Sequence, residues 1–336
     1  MRIVASLSLV VAIAFTLAAC SQSAQPLVPA GFPLRSATNG ALSVLPAGFS
    51  PAQARPDWMR PPPKNAQNAG LAVAEFGGSS VLWFKQNDRK NQPPKVCEPA
   101  SSTNGIRIDR YGNLWVPDGK TDTTTEYTPN CGAAELTITD TDGEPADVGF
   151  DRKNRVYILN LTGLYQTPTV DVYTAKGAAR GSLTDPSFDE LFGVNSDNHG
   201  NVFVSNLTSS NHGNVVEFKG GKMPGTQLSG ISLALPGVPA FDSADNLIIS
   251  DWGRATIDVF APPYSSAPKT APLMGSSIWC ALDHQQQQLY CGDAGHGSID
   301  VYAYPSLKYR YSFTNGLSAS ALVTGVAPDP PEKYWP

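Results

Sequence analysis

The sequence predicts an all-β protein: a six-bladed β-propeller with four antiparallel strands per blade and a ring closed by the C-terminal strand. Three observations carry this prediction. An aromatic residue ends a short β-like run at Phe84, Tyr127, Tyr173, Phe218, Phe260 and Tyr302, with successive gaps of 43, 46, 45, 42 and 42 residues. An aliphatic residue opens another run at Leu71, Leu114, Val156, Val202, Leu247 and Leu289, with gaps of 43, 42, 46, 45 and 42. Turn chemistry stands before most of these aliphatics: Asp109-Arg-Tyr-Gly-Asn113, Asp151-Arg-Lys-Asn-Arg155, Asp197-Asn-His-Gly-Asn201 and Asp242-Ser-Ala-Asp-Asn246. A fixed period of this length, built of strands, is how a propeller blade reads in sequence. Asp, Asn and Gly close hairpins by bonding their own backbone or by accepting positive φ.

The elements follow in order along the chain. Residues 1–19 read as a targeting segment: Met1-Arg2 is a short basic start, Ile3 to Leu17 is apolar, and Leu17-Ala18-Ala19-Cys20 resembles a bacterial lipobox. Segments with this order of charge, apolar stretch and small residues are kept out of fold reasoning. The resemblance implies cleavage before Cys20, a diacylglycerol on its sulfur and then N-acylation. Two acyl chains already anchor a protein stably, so three give a firm attachment. Ser21 in place of Asp implies, under the Gram-negative sorting rule, the outer membrane or surface of a bacterial cell envelope. The alternative is an ordinary secretory signal with a chance cysteine. Residues 20–69, rich in Ala, Pro, Ser, Gln and Asn and containing Arg60-Pro-Pro-Pro63, read as a tether that buries little. Trp58 and Met59 offer a second reading, a short clamp docked on the ring.

Residues 70–336 carry the propeller. Each unit reads as strand, Asp-led turn, strand, loop, strand ending in Phe or Tyr, and a weaker outer strand. The distance from aliphatic to aromatic is 13, 13, 17, 16, 13 and 13 residues, so repeats three and four carry insertions. Those loops, Leu161 to Pro168 and Leu207 to Gly213, are where contacts to a partner are expected, because binding residues gather on loops held by a rigid scaffold. Repeat one has no inner strand upstream. Leu322-Val-Thr-Gly-Val-Ala-Pro-Asp329 resembles the inner strands Gly105-Ile-Arg-Ile-Asp109 and Val148-Gly-Phe-Asp151, and is expected to supply it. Closure of this kind pairs edges that would otherwise stand open.

The segment Gly105-Ile-x-Ile-Asp-x-x-Gly-Asn-Leu-Trp-Val-x-Asp118 resembles the repeat of the six-bladed NHL propellers. It recurs as Phe150-Asp-x-x-x-x-Val-Tyr-Ile-x-Asn160 and Phe241-Asp-x-x-x-Asn-Leu-Ile-Ile-x-Asp251. The likeness covers residues 70 to 329. It implies the fold and leaves function open, since the scaffold serves binders, scaffolds and several kinds of enzyme.

Composition narrows the field. Only 16% of the 336 residues are charged and the net charge is −5, against the basic face of a nucleic-acid binder. No second apolar span is long enough to cross a membrane. Four cysteines remain beside Cys20, which allows three pairings. Cys280 and Cys291 flank one hairpin turn, and Cys97 and Cys131 follow the aromatic strands of adjacent repeats. The expected bonds are therefore 280–291 and 97–131, in an oxidising compartment.

Two ring positions could carry chemistry. Four residues after each opening aliphatic stand Glu75, Asp118, Asn160, Asn206, Asp251 and Asp293, all acids or amides. Such a residue at a strand end commonly bonds the amides of the next turn. If the side chains converged on the axis, their oxygens would suit calcium or magnesium. Six residues before each aromatic stand Gly78, Thr121, Thr167, His212, Arg254 and His296. His212, Arg254 and His296 fall in consecutive repeats, and resemble the acid and histidine loops of streptogramin-lyase propellers. Histidine moves protons near neutral pH and arginine holds anionic oxygen. Asn104, with Asp147 one blade on, resembles part of the metal set of gluconolactonase-type propellers. Asp140-Thr-Asp142-Gly-Glu144 looks like a calcium loop without its distal Glu, and reads better as a turn. No nucleophilic-serine, phosphate-loop or His-Glu-x-x-His motif occurs.

These observations lead to a monomeric lipoprotein, with no certain cofactor, whose propeller binds or scaffolds a protein, peptide or glycan. The alternative is a metal-assisted lactonase or lyase working at the channel mouth near Asp251, Asp293, His212 and His296.

Overall fold

The computed structural model of the chain describes residues 70–76, 80–86, 93–97, 103, 105–140, 143–161, 168–208, 210, 212–314, 316–317 and 322–329. Residues 1–69, on which the expected signal segment, Cys20 and the expected tether fall, lie outside the described residues. So do Gly78, Asn104, Asp142 and Thr167.

Twenty-four strands form six four-stranded antiparallel sheets. Blade one holds β1 (Gly70–Phe76), β2 (Val81–Lys85) and β3 (Lys95–Val96). Blade two is β4 (Arg107–Ile108), β5 (Leu114–Asp118), β6 (Thr123–Tyr127) and β7 (Ala134–Thr139). Blade three is β8 (Glu144–Phe150), β9 (Val156–Leu161), β10 (Thr169–Tyr173) and β11 (Ala179–Leu183). Blade four is β12 (Glu190–Ser196), β13 (Val202–Leu207), β14 (Gly213–Phe218) and β15 (Thr226–Gln227). Blade five is β16 (Ala240–Phe241), β17 (Leu247–Asp251), β18 (Thr256–Phe260) and β19 (Lys269–Pro272). Blade six is β20 (Ser277–Leu282), β21 (Gln288–Asp293), β22 (Ser298–Ala303) and β23 (Lys308–Phe313). The last strand, β24 (Leu322–Asp329), pairs with β1 and completes blade one, as the sequence predicts.

The two periodic features turn out to be one feature. Leu71 pairs with Phe84, Leu114 with Tyr127, Val156 with Tyr173, Val202 with Phe218, Leu247 with Phe260, and Leu289 with Tyr302. Side chains paired across a strand share a face, and in every blade this pair packs toward the preceding one. Leu71 and Phe84, for example, join Tyr290, Ile299 and Val301 of blade six, while Ala72 and Ala74 join Ile106 and Leu114 of blade two. Both faces of each sheet are thus buried, which is why the middle strands read as continuous apolar runs. Six hydrophobic clusters fill the six junctions between neighbouring blades.

The closure of blade one by β24 receives extra support. Gln86 donates through Nε2 to the carbonyl of Gly70 at 2.8 Å and to that of Asp329 at 3.2 Å, tying the two ends of the ring strands together. Cys97 is bonded to Cys131, joining blades one and two, and Cys280 to Cys291 across the β20–β21 pair, both as expected. Closing a 34-residue stretch removes about 3–4 kcal/mol of unfolded-chain entropy in the simplest model.

Candidate functional site

Antiparallel sheets place successive connections at alternate ends. The Asp-led turns after each inner strand and the turns after each aromatic lie at one end, the turn end. The C-terminal ends of β1, β5, β9, β13, β17 and β21 lie at the other, the loop end.

At the turn end the same hydrogen bonds repeat. Oδ1 of Asp109 accepts from the amides of Tyr111 and Asn113 at 2.8 and 2.9 Å. Asp151 does the same for Lys153 and Arg155, Asp197 for His199 and Asn201, and Asp242 for Ala244 and Asn246. Oδ2 takes the side chain four residues on, Asn113, Arg155, Asn201 or Asn246. Inside this circle the inner strands of all six blades, through Arg107, Phe150, Ser196, Phe241, Ala281 and Val326, line an axial cavity of about 60 Å³.

At the loop end the acid and amide ring bonds blade by blade. Asp118 accepts from the amide of Lys120 at 3.0 Å. Asn160 donates to Asp140 at 2.7 Å and to Asp171 at 3.0 Å. Asn206 accepts from the amide of Asp189 at 2.9 Å and donates to the carbonyl of Ser187 at 2.6 Å. Asp251 accepts from Ala234 and Leu235 amides at 2.8 and 3.1 Å, and Asp293 from Gly295 and Ser276 amides at 2.8 and 3.1 Å. These are turn and link contacts, except that of Asn160 with Asp171, which crosses to the third strand of its blade. The second ring position leans on the first in two blades: Arg254 lies 3.1 Å from Asp251, and His296 Nδ1 lies 2.6 Å from Asp293. His212 is exposed and bonds through its backbone to Thr208 within its own loop. Among the described residues, the trio of acids and histidines with ligand atoms within 4.8 Å of one another is Asp197, His199 and Asp245, at the turn end of blades four and five. No acid of the loop-end ring belongs to it, so the structure leaves those acids in separate blades.

A third set of acids lies in the third strands. Asp171, Asp258 and Asp300 stand two residues before the aromatic and pair across the sheet with Ser182, Thr270 and Ser312. Thr270 donates to Asp258 at 2.7 Å, and Ser312 donates to Asp300. Burial, and then the charge of Asp293, pushes Asp300 up to about 7. Burial raises Asp171 to about 6. Asp147 is fully enclosed; burial raises it to about 6 against the pull of Arg107, 3.7 Å away, and of the Val194 amide. The recurrent Asp-Val-Phe/Tyr text of these strands was the available signal for this third set.

A second recess lies on the flank between blades three and four at the turn end. It is open, about 580 Å³, and walled by the turns of both blades and by β11.

No protein-family model matches the chain, and no curated protein is similar to it in sequence. Solved structures do resemble it. A chain from a crystal structure of a nidogen/laminin complex superposes with a TM-score of 0.67 at 16% identity, over 78% of this chain and 98% of that one. A protein of unknown function from Bacteroides caccae does so with a TM-score of 0.58 at 12% identity, again over 78% and 98%. At such identities the likeness establishes the propeller fold alone.

Proposed function

We propose that this chain is a lipid-anchored extracytoplasmic protein of a bacterial envelope whose propeller is a binding or scaffold module for a protein, peptide or glycan. The observation that carries the reading is where the ligand-sized space lies. The axial cavity, at about 60 Å³, has the volume of about two waters. The flank recess, at about 580 Å³, falls in the range of about 300–1,000 Å³ that small-molecule and glycan-sized ligands occupy. The loop-end acids and amides bond the backbone and neighbouring side chains of their own turns and links. The architecture, shared with a chain of a nidogen/laminin complex, is compatible with a binding or scaffold module. Leu17-Ala18-Ala19-Cys20 and the Pro-rich stretch behind it support the anchor, and the two disulfides suit an oxidising compartment. Among the described residues no helix is long and apolar enough to cross a membrane.

The test places a photocrosslinking amino acid in the full chain in its native cells, at Lys153 on the flank, at Thr208 on the loop end and at Lys95 on the outer edge. A defined adduct from one position supports binding. Absence of adducts from all three, with turnover of a lactone panel in calcium or magnesium that Asp293→Ala abolishes, would replace the reading with the enzyme. Labelling with a palmitate analogue, lost in Cys20→Ser, tests the anchor.

A further inference from the structure

The flank recess carries a charge pattern opposite to that of the chain. Lys153, Arg155, Arg180 and Lys222 line it and no carboxylate does, although the whole protein has a net charge of −5. The four cations have different roles. Arg155 is committed: its guanidinium lies 2.5 Å from Asp151 and donates to the Gly220 carbonyl at 2.9 Å, which holds the outer turn of blade four against blade three. That contact requires the glycine beside it. Gly221 has φ +63, and a Cβ there would stand 2.2 Å from the Tyr157 hydroxyl. With the turn pinned, Lys222 and Met223 project at its exposed tip, and the amide of Thr184 donates to the Met223 sulfur at 3.3 Å.

Arg180 is aimed by the strand. Val172 pairs with Gly181 and Tyr173 with Ala179, so Arg180 is the extra residue of a bulge. Bulges re-aim a side chain and end orderly pairing. The same register shift in blades two and six puts Glu135 and Arg310 at that place, so the bulge belongs to the scaffold and its extra residue is an arginine in blades three and six and a glutamate in blade two. Among the described residues no carboxylate lies within 4.0 Å of the charged ends of Lys153, Arg180 or Lys222.

We infer that this recess binds an acidic saccharide, one bearing sulfate, phosphate or carboxylate groups. This deepens the binding-module reading and rests on it. Three cations without an acidic partner give the charge complement. Asn154 and Thr174 offer neutral hydrogen-bonding groups for hydroxyls, and half-exposed Met223 offers an apolar surface for ring C–H groups. An extended acidic peptide is the poorer fit. It would have to lie along the edge of β11, and there the bulge and Gly181 at φ +114 break the row of backbone groups that a strand needs.

The experiment titrates the full chain with a sulfated dextran oligosaccharide, with neutral dextran of equal length and a polyglutamate peptide as comparators. Arg180→Ala/Lys222→Ala is the test variant and Lys120→Ala, an exposed lysine beyond the loop end of β5, is the control; thermal melts establish that both are folded. The sulfated probe is expected to bind the native chain, to weaken as salt rises, and to lose at least tenfold in affinity in the double variant and nothing in the control. No binding above neutral dextran, an equal loss in the control, or equal binding of polyglutamate would overturn the inference. A crosslink from the loop end together with any of these would leave the binding module standing and move its site.

Discussion

Aspartates occupy two repeating settings in this ring, and the same side chain acts oppositely on stability in each. Asp109, Asp151, Asp197 and Asp242 sit at the inner turns, where two backbone amides and a neighbouring side chain surround each carboxylate. Asp171, Asp258 and Asp300 sit within sheets, where burial is the dominant influence and another carboxylate lies nearby. The difference teaches that what solvates a charge decides its effect. Backbone N–H groups in the first setting need an acceptor, whereas the second holds a charge that the sheet does not fully compensate. The largest expected effect therefore comes from a turn acid. Asp242 also accepts from the Tyr304 hydroxyl of blade six at 2.6 Å, so Asp242→Ala strands donors in two blades. A loss of about 3–4 kcal/mol is expected by urea denaturation, from several donors at ~1 kcal/mol each with a share for burial. Asp242→Asn, which keeps one acceptor oxygen, should lose less than half of that. A loss in Asp242→Ala below ~1 kcal/mol would break the comparison.

The strand acids should respond in the opposite direction. Asp300 is 2% exposed, and burial followed by Asp293 raises it from 3.8 to about 7. Between those values the folded protein holds a proton that the unfolded chain has released. Stability therefore falls as pH rises through that window. The contribution of Asp300 is on the order of 2–3 kcal/mol between pH ~5 and ~8, at about 1.4 kcal/mol per pH unit. Asp300→Asn should remove that part of the slope and make the protein more stable than the native chain at pH ~8. Denaturant midpoints at the two pH values read this directly. Asp147, Asp171 and Glu144, also raised by burial, keep the rest of the slope.

What the sequence made legible follows the same division. Blade number, strand order, closure by β24 and both disulfides could be read because each rests on a pattern repeated or paired along the chain. The cross-strand partnership of Leu71 with Phe84, and its equivalents, lay hidden in two separate periodicities, because the loop between the strands conceals the register. The candidate site was far less legible. Spacing placed Asp251 and Asp293 at equivalent positions, but spacing is silent on where a carboxylate points, and their oxygens meet the amides of the connecting links. The flank recess left no periodic trace at all. The bulge at Arg180 recurs in blades two and six, but the recess also depends on a two-glycine turn and on the approach of blade four to blade three, which the repeat does not encode.

The loop-end pairs extend the comparison to its smallest effect. Asp251 resembles the turn acids in accepting backbone amides, those of Ala234, Leu235 and Arg254, while fully buried, and the Arg254 side chain beside it is half exposed. If backbone donors decide what a carboxylate contributes, the cation is secondary. Arg254→Ala should then cost less than about 0.5 kcal/mol, the usual scale of an exposed ion pair. Asp251→Ala should cost several times more, because it leaves the amides of Ala234 and Leu235 without their acceptor. His296→Ala next to Asp293 should match Arg254→Ala, its side chain being 55% exposed. Paired denaturation curves of the four chains decide the matter. Should Arg254→Ala cost as much as Asp251→Ala, the charge pair itself would be the stabilising unit. The loop-end acids would then be sites that require a positive charge, and a cation supplied from solution would become a reasonable occupant where the sequence offers none.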